Sequence, residues 1–469
     1  MNHLAIVRIL SILGLWVSGL LVVCALIAAA LGETGNVFPF LLSATLSGPL
    51  AATILLLTNK PERKTRAQDG LAVAVLFWFI VPAFCAAPFM PLVGDGGPIA
   101  AYYESLSCLT TTGHSVIDMN GRPLPASILV WRAVLHLFGA IAAITIAASV
   151  LAALNLGGPG VHKSRFFTIP EGSFFDSMPR IVRVSLVIIA TLTIVIASLL
   201  LVLGVPPREA MSGAVSAVTS GLVDPTSDLI SPSLGALHAV ILSLGLIVGA
   251  LGIVVMDHIG HGKLLKAVTD PESLAFLGSL IGLGVLAFLA GLPIIQGLGW
   301  ALSSLSTSGL ALSDPSRFTR LPLALELIPV IVGGAALSAA GGIKLARLVV
   351  LSKRVSLEFS QLGYRGSVQS FTFRDRRQTE RTVMGVWVYL VGYIMASVAG
   401  ILIISLLGLS FDDSVRGAIG SLSNSGHIIG GMSEALTWPA QICVILGMIL
   451  GRLEVIALIP VLNLGFWSR

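Results

Sequence analysis

Apolar stretches of about 20 residues recur along the whole chain, and they constrain its fold more than any other feature. A helix of that length crosses a hydrocarbon core about 30 Å thick. Ten such stretches can be counted, at residues 4–31, 38–57, 71–90, 127–154, 181–205, 234–256, 274–295, 322–351, 383–409 and 438–462. Because a helix satisfies its own backbone hydrogen bonds in lipid, the sequence predicts an all-α integral membrane protein.

The composition agrees with a membrane protein. Hydrophobic residues make up 55% of the chain and charged residues 11%, with a mean hydropathy of +0.95. Soluble proteins carry about 25% charged residues, so a water-soluble fold is not expected. The first apolar stretch is longer than the hydrophobic region of a signal peptide, and no small-residue cleavage signal follows it. We therefore expect it to be retained as a helix.

Positive charge is concentrated in alternate connections between the apolar stretches. Residues 60–66, 163–183, 263–266 and 344–381, with Arg8 and Arg469, hold 21 of the 28 lysines and arginines. By the positive-inside rule, these connections and both termini are predicted to be cytoplasmic. The net charge of +5 is thus explained by membrane topology, and it does not require a nucleic acid partner.

The other connections each contain a half-length apolar stretch that ends in a polar, glycine-bearing turn. The turns read TTTG, VTSG, STSG and SNSG, at residues 110–113, 218–221, 306–309 and 423–426. They follow the similar runs YYESLSCL, REAMSGAVSA, GLGWALSSL and VRGAIGSL. Close helix packing also enriches small residues in membranes, but it does not explain four turns at matching positions. The pattern indicates four internal repeats.

Four turns of this kind predict a central pore. Non-helical backbone at membrane depth must be buried in protein or line water, and converging carbonyl groups can replace the hydration shell of a cation. The predicted ion-binding filter residues are Thr111, Thr112, Gly113, Thr219, Ser220, Gly221, Thr307, Ser308, Gly309, Asn424, Ser425 and Gly426. We expect the four glycines to lie near one axis.

The repeats also predict the organisation of the chain. Residues 1–66 form two additional N-terminal transmembrane helices, and the four pore repeats, each of helix, re-entrant loop and helix, occupy 67–180, 181–271, 272–381 and 382–469.

Two features of the last two repeats predict a gate beneath the filter. Gly341 and Gly342 interrupt an otherwise continuous apolar stretch and should create an intramembrane loop, unless they serve only close packing. Arg452 lies within an apolar stretch, where a charge is expected to face water or a partner. It either opposes cations in the pore or pairs with a carboxylate such as Glu454. Lys344 either faces the cavity or reaches the cytoplasmic surface.

Acidic residues follow or flank the predicted filter turns. They are Glu104, Asp118, Asp224, Asp228, Asp314, Asp412 and Asp413. Such a group could concentrate cations at an outer mouth, although each is also compatible with ordinary solvated loop charge. His114 and His427, which follow two filter glycines, could tune this mouth or only form hydrogen bonds there.

Several segments resemble the Trk/Ktr/HKT superfamily of potassium transporters, most of all its bacterial TrkH branch. YYESLSCLTTTGHSVID from Tyr102 is similar to the first pore helix and filter, and WRAVLHLFGAIAAITI from Trp131 to the following helix. GGAALSAAGGIKLAR from Gly333 resembles the interrupted helix, and GMILGRLEVIALIP from Gly447 the last helix. The third and fourth filters depart from the usual neighbours of the glycine, and Ala339 and Ala340 replace a small polar pair.

The resemblance implies potassium uptake across the bacterial cytoplasmic (inner) membrane, with K⁺ as the transported ion and symport as a mode of coupling. It also implies a homodimer and a cytosolic nucleotide-binding regulatory subunit of the TrkA type. The basic segment 353–381 is a candidate docking surface for this subunit, or else it contacts anionic lipid. Alternatives are a Na⁺-permeable or non-selective transporter, a symporter of an organic solute, and a non-conducting scaffold. No nucleotide-hydrolysis, zinc-protease or lipase motif is present in the sequence, so neither an enzyme nor an organic cofactor is expected.

Overall fold

The structure is a computed structural model of the 469-residue chain. It describes residues 2–58, 67–118, 122–148, 174–225, 236–312, 321–363, 372–373, 376–377 and 380–453. The basic connection 60–66 and residues 163–173 of the next one lie outside these ranges, as do Asp228, Asp314 and Glu454.

The described part of the chain is built from helices, which confirms the all-α prediction. The helices are α1 His3–Ala30, α2 Thr34–Leu57, α3 Ala67–Cys85, α4 Gly97–Leu109, α5 Ala126–Ile146, α6 Phe174–Val202, α7 Pro207–Thr219, α8 Ala236–Ala250, α9 Gly252–Gly260, α10 Leu264–Val268, α11 Pro271–Leu289, α12 Ile294–Leu305, α13 Leu323–Val332, α14 Leu345–Gly363, α15 Glu380–Leu406, α16 Phe411–Leu422, α17 Gly426–Gly430 and α18 Trp438–Leu453. Short 3₁₀ turns occur at Ala87–Phe89 and Gly94–Gly96. Two-residue strands, β1 Thr372–Phe373 and β2 Arg376–Arg377, pair antiparallel.

Each of the ten apolar stretches overlaps at least one of these helices. In the described ranges, seven helices are long and apolar enough to span a membrane: α1, α2, α3, α5, α6, α11 and α15. Two stretches are interrupted. The sixth is divided into α8 and α9, and the eighth into α13 and α14.

Helix burial separates the interior of the molecule from its apolar periphery. Two thirds of the apolar window is buried in α3 and in α5, but only 22% in α6 and 17% in α15. The two interior helices border α4, and α5 carries the buried polar side chains of Arg132 and His136. The outer faces of α6 and α15 present large apolar side chains, as expected of lipid-facing helices.

The N-terminal helices α1 and α2 pack along each other and are attached to α5 through Glu33. The Glu33 carboxylate accepts hydrogen bonds from the backbone amides of Ala126, at 2.7 Å, and Ser127, at 3.1 Å, and from the Ser127 hydroxyl. These amides lie in the first turn of α5, where backbone donors have no partner within the helix. Glu33 therefore caps α5 from another part of the chain.

Local sequence signals start the short helices that precede the predicted filter turns. Proline occupies the first turn of α4 and α7 and the residue immediately before α12, where its fixed φ suits helix initiation and its missing N–H is not needed. Helix α16 is instead capped by Ser410, whose side chain accepts a hydrogen bond from the amide of Asp413.

Candidate ion pathway

Four short helices, α4, α7, α12 and α16, lead into the four predicted filter turns. They contain 13, 13, 12 and 12 residues. At 1.5 Å per residue, such a helix covers only about 20 Å and cannot cross the hydrocarbon core. The backbone that follows each helix therefore turns back within the protein.

The four turns share a backbone conformation that is rare for residues with a side chain. One non-glycine residue in each turn has a positive φ: Thr111 at 52°, Ser220 at 57°, Thr307 at 59° and Asn424 at 48°. Side chains other than glycine rarely adopt this left-handed conformation. Its occurrence once in every turn indicates that the four turns have the same local construction.

The shared conformation gives the second turn a different register from the one predicted. Two residues after the left-handed residue stand Gly113, Gly309 and Gly426 in the first, third and fourth turns. The corresponding residue of the second turn is Leu222, and Gly221 comes one position earlier. Thr219, predicted as a filter residue, is the last residue of α7.

Contacts between successive turns close a ring. Gly113 lies against the backbone of Leu222, and the Ser308 hydroxyl lies 3.5 Å from the carbonyl oxygen of Ser216, in the helix before the second turn. Gly309 lies against His427, just after the fourth turn. Finally, the amide of Gly426 donates to the carbonyl of Thr112 at 3.0 Å, so the fourth turn contacts the first.

Close backbone approach explains why glycine is needed at two ring positions. A Cβ atom on Gly221 would collide with the Thr111 carbonyl oxygen, and one on Gly426 would collide with that of Thr112. Neither glycine has a positive φ, so steric space and not backbone conformation excludes a side chain there.

The interrupted helix between α13 and α14 lies against the ring. Residues 333–344 are non-helical, and the amide of Gly341 donates to the Thr307 hydroxyl at 2.9 Å. A Cβ atom on Gly341 would collide with the carbonyl oxygen of Ser423, where α16 ends. The loop therefore contacts the third and fourth turns at the point where their helices end.

Arg452 connects the first turn to the same loop. Its side chain is only 8% exposed, and Nε donates to the Thr110 carbonyl at 2.6 Å. Nη1 donates to the Ala339 carbonyl at 2.7 Å, and Nη2 donates to the Thr111 hydroxyl. The guanidinium thus fixes the first turn relative to the loop.

Lys344 folds back onto the loop from its C-terminal end. The side chain is 8% exposed, and Nζ donates to the carbonyl of Ser338 at 3.3 Å and to that of Ala340. The residue itself has a φ of +79°. The ammonium group therefore closes the loop and does not extend to the cytoplasmic surface, which contradicts the second of the two sequence-based interpretations.

A second interrupted helix supports the loop and was not identified from the sequence. Helix α8 ends at Ala250, and α9 begins at Gly252, whose φ is +76°. The amide of Ala335 donates to the Ala250 carbonyl at 2.9 Å, and that of Ile253 donates to the Leu337 carbonyl at 3.0 Å. The sequence signal for this break is Gly252, which lies inside the sixth apolar stretch.

The prediction of an acidic outer mouth is wrong for three of its residues. Glu104, Asp224 and Asp413 are 0%, 2% and 3% exposed. Glu104 pairs with Arg132, Asp224 pairs with Arg208, and Asp413 accepts hydrogen bonds from the segment that begins at Ser433. These buried carboxylates are satisfied by ion pairs and hydrogen bonds within the protein. Asp118 and Asp412 are exposed, which agrees with the interpretation as ordinary solvated charge.

The two histidines next to the filter glycines also have protein partners. His114 Nδ1 lies 2.7 Å from the hydroxyl of Tyr103, and His427 Nδ1 lies 3.0 Å from that of Ser425. Both contacts are local, since each histidine bonds within its own short helix and turn. They agree with the simpler of the two interpretations, in which each histidine is a hydrogen-bonding group.

Comparison with known proteins gives matches over the full length. The "Trk system potassium uptake protein TrkH" of Salmonella typhimurium is 26% identical over 491 residues, covering 100% of both chains. The Escherichia coli "Trk system potassium uptake protein TrkG" is 25% identical over 487 residues, covering 99% of each. The crystal structure of "the Potassium Transporter TrkH from Vibrio parahaemolyticus" superposes with a TM-score of 0.85, at 24% identity and full coverage of both chains.

Full-length similarity to TrkH and TrkG proteins, together with the shared fold, supports the Trk superfamily and its TrkH branch. The resemblance found from the sequence is thereby confirmed. An uncharacterised cation transporter of Methanocaldococcus jannaschii is a further relative, 24% identical over 88% of this chain and 85% of its own length. No family model matches the chain.

Proposed function

We propose that this member of the TrkH branch takes up potassium ions across the cytoplasmic membrane of a bacterium. The observation that carries the proposal is the closed ring of four turns, each entered by a short helix. Relatives that match over their full length are named potassium uptake proteins, which supports K⁺ as the transported ion.

The ring has the chemistry needed to bind a dehydrated cation. Carbonyl and hydroxyl oxygens of twelve predicted filter residues lie in or beside the turns, with the register of the second turn shifted by one residue. Such oxygens replace the hydration shell of a potassium ion. The C-terminal ends of α4, α7, α12 and α16 add partial negative charge, since each helix dipole is negative at that end.

The loop of residues 333–344 and Arg452 form the proposed gate. Gly341 and Gly342 allow the loop to approach the ring, Lys344 closes it, and Arg452 ties it to the first turn. In this closed arrangement, a cation leaving the ring meets the loop and a fixed positive charge.

The remaining parts of the proposal concern topology and partners. Both termini and the basic connections are cytoplasmic by the positive-inside rule. Two N-terminal helices occupy residues 1–66, and the four pore repeats occupy 67–180, 181–271, 272–381 and 382–469. The chain forms a homodimer, acts as a symporter and binds a cytosolic nucleotide-binding subunit of the TrkA type. No organic cofactor and no enzymatic step are part of this function.

A Na⁺-permeable or non-selective transporter is the second candidate, and Leu222 favours it. Leu222 occupies the place that glycine holds in the other three turns. A side chain there restricts the peptide conformations available to the second turn. Fewer well-oriented carbonyl groups would reduce the discrimination between K⁺ and Na⁺.

Ion flux into liposomes that contain the purified chain tests both candidates. We expect uptake of K⁺, driven by a K⁺ gradient, to exceed that of Na⁺ under matched conditions. Equal rates for the two ions would favour the second candidate. Protein that is folded and inserted but passes neither ion would contradict transport altogether. Liposomes without protein provide the background.

A further inference from the structure

A buried ion pair lies beside the first two turns of the ring and has no assigned role. Arg132 of α5 and Glu104 of α4 are joined through Nη1 and Oε2 at 2.6 Å, and both side chains are 0% exposed. Desolvation of two charges is costly, and a buried pair is weak evidence for stability by itself. What the pair contacts is therefore more informative than its presence.

The guanidinium of Arg132 holds backbone carbonyl groups from two different turns. Nη2 donates to the carbonyl oxygen of Gly113 at 3.2 Å, in the first turn. Nε donates to that of Val223 at 2.7 Å, directly after Leu222 of the second turn. Because the guanidinium is planar and rigid, these bonds fix the separation between the two turns.

Glu104 holds the chain that leaves the first turn. Its Oε1 atom accepts a hydrogen bond from the Val116 amide at 2.5 Å and one from the Ser115 hydroxyl at 2.8 Å. The segment from Gly113 to Val116 is therefore attached at both ends to one ion pair.

A second ion pair, between the third and fourth repeats, differs from Arg132–Glu104 in its exposure. Arg416 of α16 and Glu326 of α13 are 2.7 Å apart, but their side chains are 19% and 15% exposed. Contact with water screens such a pair, whereas the Arg132–Glu104 pair acts in a medium of low dielectric. The two pairs therefore differ in their exposure, and only the Arg132–Glu104 pair is fully buried.

We infer that Arg132 and Glu104 are positioning residues that set the spacing of the first two filter turns, and through it the selectivity among monovalent cations. This inference rests on the proposed function. Selectivity depends on the number and geometry of the coordinating carbonyl groups, so a looser spacing admits Na⁺ more readily.

The test compares K⁺ and Na⁺ flux in liposomes for the wild type, Arg132→Lys and Glu104→Gln. Lysine keeps the charge but cannot reach three acceptors in one plane, and glutamine keeps the shape but not the charge. We expect the K⁺ to Na⁺ flux ratio to fall by roughly tenfold in each variant, a change equivalent to about 1.4 kcal/mol. Arg354→Lys and Glu358→Gln, in an exposed pair on α14, should keep the wild-type ratio.

A second readout does not depend on transport. The melting temperature of purified protein should be higher in KCl than in NaCl for the wild type, and this difference should shrink in both variants. Variants that conduct and melt as the wild type does, with an unchanged flux ratio, overturn the inference. Failure of the wild type to conduct K⁺ would instead contradict the proposed function.

Ser115→Ala provides the milder test if the two charge variants do not fold. It removes one hydrogen bond to Glu104 and leaves the ion pair in place. A smaller reduction of the flux ratio supports the inference, and an unchanged ratio overturns it.

Discussion

The backbone amide of Gly341 donates a hydrogen bond to the side-chain hydroxyl of Thr307 at 2.9 Å. Through this bond, the intramembrane loop is attached directly to the third turn of the ring. Since both groups are buried, loss of either leaves the other without a partner in a dry environment. The proposed gate and the proposed filter are therefore one hydrogen-bonded unit.

Thr307→Val should weaken this attachment and raise K⁺ flux through the chain alone. Valine has nearly the same shape and is also β-branched, so the strain of the positive φ is matched. A buried amide without a partner costs about 1–3 kcal/mol, which corresponds to a flux increase of roughly tenfold if the cost falls wholly on the closed state. Flux in liposomes measures the effect. Thr307→Ser keeps the hydroxyl and serves as the control, and equal flux in both variants would contradict the prediction.

Arg452→Ala should also raise unregulated flux. The substitution removes the fixed charge and the two carbonyl bonds that tie the loop to the first turn. Hydrogen bonds to a charged group contribute about 1.5–3 kcal/mol each. If the closed state loses one of them, K⁺ flux should therefore increase by roughly tenfold or more. The chain must be assayed alone, because a regulatory subunit could compensate. Lost or unchanged flux in folded protein would indicate that Arg452 is only structural.

Alanine at a ring glycine should reduce K⁺ uptake strongly without preventing insertion. In Gly221→Ala and Gly426→Ala, the new methyl group collides with the carbonyl oxygen of Thr111 or Thr112. The matched control is Gly278→Ala in α11, where a Cβ meets open space and alanine should stabilise the helix by about 0.5–1 kcal/mol. Uptake by cells or liposomes gives the comparison. Normal uptake by both ring variants, at equal expression, would argue against the ring as the ion path.

Glu33 should make the attachment of the N-terminal helices dependent on pH. Burial raises the pKa of the Glu33 carboxyl, but hydrogen bonds from Ser127, Ala126 and Asn36 outweigh it and leave the pKa below its ordinary value of 4.5. A lowered pKa stabilises the folded state above pH 4.5, and this contribution is lost as the pH falls through the folded-state pKa. Glu33→Gln should therefore lower stability by about 1 kcal/mol at pH 7 and by less under strongly acidic conditions.

Thermal melting in detergent at pH 7 and at strongly acidic pH checks this prediction. Glu358→Gln, at an exposed carboxylate on α14, should have little effect at either pH. A Glu33 variant that is equally destabilised at both values would show that the lost shape, and not the charge, matters.

The sequence predicted the architecture well because its signals are local and repeated. Apolar length identified a helix in every predicted span, and the four glycine-bearing turns marked the ring. The adjacent glycines Gly341 and Gly342 are also a local signal, and they marked the interruption between α13 and α14. Features of this kind are determined within a few residues, so they are visible without tertiary contacts.

The details that escaped the sequence depend on contacts between distant segments. The register of the second turn follows the left-handed Ser220 and not the glycine beside it, and nothing in the residue type reveals that conformation. Glu104 was grouped with exposed acids because its partner, Arg132, comes from another helix. A charge within an apolar span is expected to have a specific partner, and this rule was used only for Arg452. Arg132 also lies within an apolar span, so the same rule would have predicted a partner for it.

The hydrogen bonds between residues 250–253 and 335–337 attach the loop of residues 333–344, the proposed gate, to a second interrupted helix. Ala250 and Ile253 flank the break between α8 and α9, so a displacement of α9 acts on the loop through main-chain atoms. This linkage consists of two main-chain hydrogen bonds and therefore needs no particular side chain. Because releasing one bond would strain the other, we expect the proposed gate to leave the ring in a single concerted step.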